Sequence, residues 1–263
     1  MIDVRLTHVG GPTVLLEIGP WRILTDPTFD PPGRRYGFTL GTSSTKVRGP
    51  TVPVRDLPPL DAVLLSHDHH ADNLDDAGRA LLPGVGVVLT TMPGARRLGT
   101  RAVGLAPWES YRLERPGYPT IDVTATPCRH GPPASRWLVG HVIGFAVRWA
   151  GQKHGDFWIS GDSVFYRGIR EVATRLRIGT ALLHLGGVRF PLTGPLRYTM
   201  TASDAIRICR LIRPHLAIPL HYEGWSHFQE TRSAIERDFA AADSAISERI
   251  RWLPPGTPVS VSV

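Results

Sequence analysis

The order of apolar and polar positions in the first sixty residues predicts strands followed by a long loop. Residues 2–9 alternate between the two kinds, residues 13–18 are apolar and β-rich, and residues 21–25 form a third run. Glycine and proline between these runs predict tight turns. Residues 27–60 are rich in Pro, Gly, Ser and Thr and show little periodicity. We expect an ordered loop over one face, where substrate contacts commonly lie.

The rest of the chain alternates between short apolar runs and segments with helical periodicity. The runs predict strands at residues 61–65, 85–90, 101–105, 121–126, 142–149, 157–160, 181–185 and 215–220, and a short one in the tail. Helices are predicted at residues 74–82, 163–177, 201–213 and 227–241. This order predicts an α/β protein of the α+β type, with sheets packed face to face and helices outside. Because no repeat or low-complexity linker interrupts it, we expect a single domain spanning residues 1–263.

Charge and cysteine content indicate more about the cellular location of the protein than about its activity. Lys and Arg total 30 and Asp and Glu total 23, a formal net charge of +7, and no run of five basic residues occurs. A solvated surface explains this charge most simply, and a preference for anionic substrates is the alternative. Two cysteines give no disulfide framework. We find no signal peptide and no stretch near the roughly 18 apolar residues of a membrane span, so we expect a cytoplasmic protein.

Polar clusters that directly follow predicted strands are the candidate chemistry. They are residues 66–73, His130, residues 161–163 and His221. Strand ends hold side chains rigidly, and the loops beyond them leave room for ligands. A lone histidine after a strand is most often structural, so His130 or His221 alone indicates little. The four clusters together, with imidazole and carboxylate groups that suit a borderline metal such as zinc, predict a metal site.

The segment LPPLDAVLLSHDHHADNLD at residues 57–75 resembles the His-x-His-x-Asp-His signature of the metallo-β-lactamase superfamily. It is most similar to the branch that contains L-ascorbate-6-phosphate lactonase and N-acyl-phosphatidylethanolamine phospholipase D. That branch has stretches like those at residues 23–27, 57–67 and 73–75 of this chain. The resemblance implies a four-layer αββα sandwich whose site lies on the open edge between two sheets.

The resemblance also implies a set of metal ligands. His67, His69 and His130 match the three histidines of the first metal site. Asp162 matches the carboxylate that bridges two metals, and His221 matches the last histidine, which belongs to the second site. We expect zinc as the cofactor, as one or two ions. Manganese and iron are alternatives, because a site with this many oxygen ligands also suits them.

This chain departs from the family pattern just after His69. The pattern would place Asp and His two and three residues later, where this chain has Ala71 and Asp72. One inserted residue restores the match: Asp72 takes the Asp position, Asn73 takes the His position, and the following Leu-Asp pair also aligns. Asn73 is a weaker metal ligand than histidine, so the filling of the second site depends on it. His70 is the alternative ligand.

Three side chains are candidates for catalytic roles. Asp72 is expected to orient the attacking water and to receive its proton. His184 ends a predicted strand, and His227 follows His221 by six residues, so either can contact substrate or support a ligand.

These features together imply a metal-dependent hydrolase. A bound metal activates water at neutral pH, and the expected target is an ester-type bond in a small anionic molecule, a lactone or a phosphodiester. A nuclease is the second hypothesis, although no contiguous basic stretch indicates nucleic-acid binding. The third is a metal-binding protein that has lost catalysis, for which Asn73 is the only support.

Overall fold

Two large β-sheets form the centre of the molecule. The computed structural model describes residues 2–99 and 101–263, with Leu40 described by its backbone alone. In chain order the strands are β1 (Val4–Gly10), β2 (Thr13–Ile18), β3 (Trp21–Thr25), β4 (Arg35–Gly37), β5 (Ser43–Thr45), β6 (Ala62–Leu64), β7 (Val87–Thr91), β8 (Ala102–Leu105), β9 (Ser110–Leu113), β10 (Ile121–Pro127), β11 (Ile143–Trp149), β12 (Asp156–Ile159), β13 (Ile178–His184), β14 (Leu216–Leu220) and β15 (Val259–Ser260). One sheet has the order β15-β1-β2-β3-β6-β7-β8 and the other has the order β14-β13-β12-β11-β10-β9. Strands β4 and β5 form a separate hairpin.

The helices lie in the connections that follow β6, β7, β10, β12, β13 and β14. They are α1 (Asp76–Leu81), α2 (Met92–Leu98), α3 (Arg136–Val139), α4 (Arg167–Arg175), α5 (Ala202–Ile212), α6 (Arg232–Ala240) and α7 (Ser244–Ser247). Side-chain caps fix where α1, α2, α5 and α6 begin, because the oxygens of Asp75, Thr91, Thr201 and Thr231 accept backbone N–H groups of the first turn. Across the described residues, no helix combines the length and apolar character that a membrane crossing requires.

Three apolar layers hold the sheets and helices together. Side chains such as Leu16 and Phe145 fill the space between the two sheets. The outer face of the second sheet packs on α4, α5 and α6 through residues such as Trp158. The outer face of the first sheet packs around α1 through residues such as Val63 and Leu74. The predicted four-layer αββα sandwich is therefore confirmed.

The parallel strands of both sheets end at the same edge. Strands β3, β6, β7 and β8 run parallel, as do β12, β13 and β14. Strand β10 shares the direction of β12, because each pairs antiparallel with β11. The loops that leave β6, β10, β12, β13 and β14 carry the polar clusters singled out from the sequence. Carboxyl ends of parallel strands are a common place for ligands in open α/β sheets.

Two predicted helices begin later than the sequence pattern indicates. The helix predicted from residue 163 begins at Arg167, because the backbone N–H of Val164 donates to the carbonyl of Arg129. The helix predicted from residue 227 begins at Arg232, because the N–H of Gln229 donates to Gly186. Hydrogen bonds between loops thus replace the first helical turn. The sequence pattern also missed α2, α3, α7, β9 and the β4–β5 hairpin.

Candidate metal centre

The rings of three histidines, His67, His70 and His130, lie in contact and form a first group of candidate ligands. The Nδ1 atom of His70 lies 3.0 Å from Nε2 of His67 and 3.2 Å from Nε2 of His130. All three side chains are buried. Burial, followed by the neighbouring rings, lowers the pKa of His67 and His70 well below the usual value, and burial also lowers the pKa of His130. Neutral imidazole is the form that binds a metal.

His69 lies at the margin of this group. Its Nε2 atom contacts the carbonyl oxygen of Val139, and its side chain is about one-quarter exposed. A ring nitrogen of His69 still lies within 4.8 Å of nitrogens of His67 and His70. The structure thus brings His70 between the other two rings and holds His69 against the loop that contains α3.

Asp162 lies between this group and a second one, which contains His184 and His221. One of its oxygens shares a compact set of candidate ligand atoms with His67 and His130. Its Oδ1 atom lies 3.1 Å from Nδ1 of His184 and 3.0 Å from Nδ1 of His221. Burial opposes ionisation of Asp162, but the nearby charge of His221 and the hydrogen bond with His184 outweigh it and hold the pKa well below its usual value. Asp162 is therefore an ionised donor common to both groups.

Asp72 and His227 close the second group from above. The Oδ2 atom of Asp72 lies 3.2 Å from Nε2 of His227 and 3.7 Å from Nε2 of His221. Burial alone would raise the pKa of Asp72, but the two histidines together lower it to about 2. The carboxylate is therefore charged at neutral pH.

Asn73 lies behind the first group of histidines. It is fully buried, and its Nδ2 atom lies 3.4 Å from the hydroxyl oxygen of Ser66. The same hydroxyl lies 2.9 Å from Nδ1 of His67. The amide thus contacts a residue that fixes the orientation of a ligand ring.

Asp26 is a residue of this region to which sequence reasoning assigned no role. Its Oδ1 atom accepts the backbone N–H of Ser66 at 2.6 Å, one residue before His67. Burial raises the pKa of Asp26 to about 8. Its signal in the sequence was the ILTDP stretch at residues 23–27, where the Asp follows directly on β3.

The candidate ligands have the chemistry and the unpaired atoms that a metal ion requires. Several of its buried atoms have no hydrogen-bond partner among residues 2–99 and 101–263: Oδ1 of Asp72, Oδ1 of Asn73, Oδ2 of Asp162, Nε2 of His184 and both ring nitrogens of His221 and of His227. Buried polar groups are rarely left unpaired. Nitrogen and oxygen donors of this kind suit zinc, iron or manganese. The backbone of His221 is also held at φ 53°, and such strain is typical of functional sites.

A narrow slot opens on these donors. It has a cavity volume of about 30 Å³ and is lined by His70, Asp72, His130 and His227 together with apolar side chains. The rings of Phe38 and Phe190 lie 5.8 Å apart above it. His184 is not part of the lining, so the slot reaches the second group only through Asp72 and His227.

The fold and the donors together define the class of this protein. The chain belongs to the beta-lactamase superfamily, since the model of the beta-lactamase superfamily domain matches residues 21–222.

Named relatives add detail to this classification. A UPF0173 metal-dependent hydrolase of Deinococcus radiodurans is 28% identical over 222 residues, covering 83% of this chain and 84% of its own. One from Opitutus terrae is 26% identical over 269 residues, covering 98% and 100%. Among solved structures, an isothiocyanate hydrolase from Delia radicum gut bacteria superposes with a TM-score of 0.80 at 19% identity, covering 98% of this chain and 100% of that one. A metallo hydrolase of Ignicoccus hospitalis gives 0.72 at 19%, covering 99% of each chain.

Proposed function

We propose that the protein is a metal-dependent hydrolase that cleaves an ester-type or related electrophilic bond in a small molecule. The observation that carries this proposal is Asp162, an ionised carboxylate that joins two groups of buried histidines beneath a narrow slot. The names of the relatives, metal-dependent hydrolases, agree with it.

Each of the two groups would hold one metal ion. His67, His70 and His130 with Asp162 would form the first site, in which His70 takes the place that the sequence pattern gave to His69. Asp162 and His221 would form the second, with Asp72 completing it and His184 supporting Asp162. Zinc remains the expected ion, and manganese or iron are the alternatives. A bound metal would make water more acidic and would polarise the substrate oxygen.

Asp72 is the best placed of these residues to handle a proton. It is charged, it lines the slot, and its Oδ2 atom lies 3.2 Å from His227. A carboxylate in this position can orient a water molecule for attack and receive its proton. The adjacent Nε2 atom of His227 can then accept the proton, and the ring can deliver it to the leaving group. His227 lines the same slot.

The lining of the slot favours an uncharged reacting group. Phe38, Val139, Val188 and Phe190 surround its entrance, and none of the described side chains that line it is a lysine or arginine. Apart from the metal ions, such a lining offers no positive charge to an anionic group, so we favour a lactone or carboxylic ester over a phosphodiester. The fold neighbour named as an isothiocyanate hydrolase suggests another small uncharged electrophile. The narrow entrance gives no support to a nucleic-acid substrate.

A panel of substrates with defined metal loading tests this proposal. The protein loaded with zinc, manganese or iron is assayed on lactones, carboxylic esters, an aryl isothiocyanate and bis(4-nitrophenyl) phosphate. We expect turnover of an uncharged substrate, which is lost with chelator, restored by metal and absent in Asp162→Asn. His154→Gln serves as the control, since that ring stacks on His215 away from the slot. Full metal loading without any turnover would favour the non-catalytic hypothesis, and a preference for the phosphodiester would overturn the proposed substrate class.

A further inference from the structure

A second and larger cavity lies on the other side of the segment that carries His130. Its volume is about 550 Å³, and its walls come from residues 105–107, parts of residues 127–136, residues 140–143, the start of α2 and Tyr166. Cavities of 300–1,000 Å³ are typical of sites for small molecules. Among the residues that the structure describes, this cavity shares only His130 with the slot.

The charged groups in this cavity are all basic. Arg129 and Arg136 line it, and the described residues of its wall include no Asp or Glu. Neither arginine forms an ion pair with any carboxylate in the part of the chain that the structure describes. Unpaired guanidinium groups in a concave site create a positive potential that attracts anions. They also present the planar donor geometry that binds carboxylate or phosphate.

Arg129 is held ready for a ligand and is not free in solvent. Its guanidinium carbon lies 4.7 Å from the centre of the Tyr166 ring. Its Nε atom is buried and has no hydrogen-bond partner among the described residues. A buried donor without a partner is uncommon in folded proteins. Contact with the Tyr166 ring restricts the guanidinium, so less side-chain entropy would be lost on binding.

Arg136 lines the same cavity and contacts His141. A nitrogen of its guanidinium lies 2.6 Å from Nδ1 of His141. When the arginine donates, Nδ1 accepts, and the neutral ring then carries its proton on Nε2. Burial and the neighbouring arginines lower the pKa of His141, which agrees with a neutral ring. The remaining donors of Arg136 are available to a ligand.

Much of the remaining wall is apolar, with the hydroxyl groups of Thr91 and Ser135 among it. Met92, Leu105, Pro107 and Ile143 contribute to it. A ligand that satisfies both kinds of surface therefore has an anionic group on a compact apolar body.

We propose that this cavity is a binding site for a small organic anion, a carboxylate or phosphate on an aryl or alkyl body, with the anionic group held by Arg129 and Arg136. This site goes beyond the proposed hydrolase function, because it requires no turnover and does not contain the metal donors other than His130. Any occupant would contact the segment that carries His130 and would so lie against the wall of the metal centre.

Calorimetric titration of the metal-loaded protein of 263 residues tests the site. The probes are phenyl phosphate, benzoate and, as the uncharged match, benzyl alcohol. We expect one of the two anions to bind and the alcohol not to bind, and the preferred anion distinguishes phosphate from carboxylate chemistry. Arg129→Gln and Arg136→Gln should each weaken binding at least about tenfold, or ~1.4 kcal/mol. Arg170→Gln is the matched control, because Arg170 also faces an aromatic ring, Phe165, outside the cavity.

Two further measurements keep the test decisive. Thermal unfolding of each variant separates lost binding from lost folding, and Arg136, which is exposed, provides the variant least expected to disturb the fold. Asp162→Asn reports binding of the probe at the metal centre. Anion binding that disappears in Asp162→Asn but persists in Arg129→Gln and Arg136→Gln would overturn the proposal. So would equal weakening in the Arg170→Gln control, or binding of neither anion to the parent protein.

Discussion

The position of His70 changes how the motif at residues 66–75 is aligned. In the alignment derived from the sequence, the extra residue followed His69. Because His70 lies between His67 and His130, we propose that the extra residue falls before His70, with Asp72 and Asn73 in their assigned positions. Asn73 then stands where a second-site histidine is expected, next to Ser66 and not exposed to the slot.

Metal titration of two neighbouring variants decides between these alignments. We expect His70→Ala to lose the first metal, because its ring contacts two other candidate ligands. We expect His69→Ala to keep the metal and to lose only the contact with the Val139 carbonyl. Elemental analysis after gel filtration measures the metal content of both. Retention in His70→Ala with loss in His69→Ala would restore the original alignment.

Asp72 gives a prediction on the rate and its dependence on pH. Its pKa of about 2 means that the carboxylate is charged throughout the neutral range. Asp72→Asn should therefore lower kcat by roughly 10²–10⁴, by a similar factor at every pH between about 5 and 9. The measurement is kcat against pH for both proteins at fixed metal loading. A kcat within about threefold of the parent would exclude a role in proton transfer.

Most residues of the metal centre could be predicted from the sequence, whereas the orientations of their side chains could not. His67, Asp162 and His221 follow buried strands whose apolar runs are easy to recognise, so their placement at the sheet edge follows from the pattern. The choice between His69 and His70 depends on a turn in which the N–H groups of residues 73 and 74 donate to the His70 carbonyl. No periodicity marks such a turn, so the sequence could not reveal which ring it turns inward.

The β4–β5 hairpin depends on a buried ion pair at its base. The ammonium of Lys46 lies 2.7 Å from Oδ2 of Asp75, and both side chains are almost fully buried. Asp75 also caps α1 and accepts the backbone N–H groups of Phe29 and Asp30. The pair thus fastens the hairpin, and with it the neighbouring Phe38, to the start of a helix.

Breaking this pair should cost stability and disturb the slot. Removing one partner of a buried pair leaves an uncompensated charge, so Lys46→Met should lower the free energy of unfolding by about 3–5 kcal/mol. Denaturant unfolding measures the loss. Arg35→Met, on the exposed face of the hairpin, is the control and should change stability by less than about 0.5 kcal/mol. Equal stability of the two variants would contradict this role of the pair.

An ion pair between Asp68 and Arg97 connects the loop after β6 to α2. Its contribution to stability depends on pH. Burial would raise the pKa of Asp68, but hydrogen bonds from Arg97, one of them 2.7 Å long, hold it well below its ordinary value of 3.8. A lowered carboxyl pKa contributes stability above that ordinary value, and the contribution is lost as pH falls toward the folded-state pKa. Arg97→Gln should therefore cost about 1 kcal/mol near neutral pH, a modest figure because the guanidinium is half exposed.

Unfolding curves at several pH values check this expectation. The difference between Arg97→Gln and the parent protein should shrink below about pH 4, where the carboxyl of the unfolded chain becomes protonated. Arg96→Gln is the neighbouring control. A difference that stays constant down to about pH 2 would show that the pair contributes through packing and not through charge.

Periodicity located most helices and strands, but it did not fix where each one begins. The helix at α5 was predicted within a residue or two, because Thr201 and Asp204 form a reciprocal cap that the sequence displays. Helices α4 and α6 were predicted four or five residues too long at their beginnings. The extra residues bond to distant loops around the site, and contacts of that kind leave no local pattern.

The metal donors join the two halves of the sandwich at one edge. His67 follows the first sheet, whereas Asp162 and His221 follow strands of the second. A ligand that binds only the folded chain stabilises it, by about 2.7 kcal/mol at one hundred times its dissociation constant. For a chain of this size that amounts to roughly 5–10 °C in Tm.

Thermal unfolding with and without chelator measures that contribution. We expect the parent protein to melt several degrees lower in excess chelator and to recover when metal is returned. Asp162→Asn should already melt near the lower temperature and respond weakly to chelator. A parent Tm that does not depend on metal would contradict the assignment of the donors.

The roof of the slot and the donors beneath it come from different parts of the chain. The donors lie at strand ends, whereas the roof comes from the β4–β5 hairpin region, α3 and residues 188–198. These roof segments pair with neither large sheet. Insertions and replacements there can therefore accumulate during evolution without disturbing the donors, so related chains can diverge in substrate while keeping the same chemistry. Two relatives with similar sequence identity over the whole chain can therefore act on different substrates. Their substrate specificities should be compared in the roof segments.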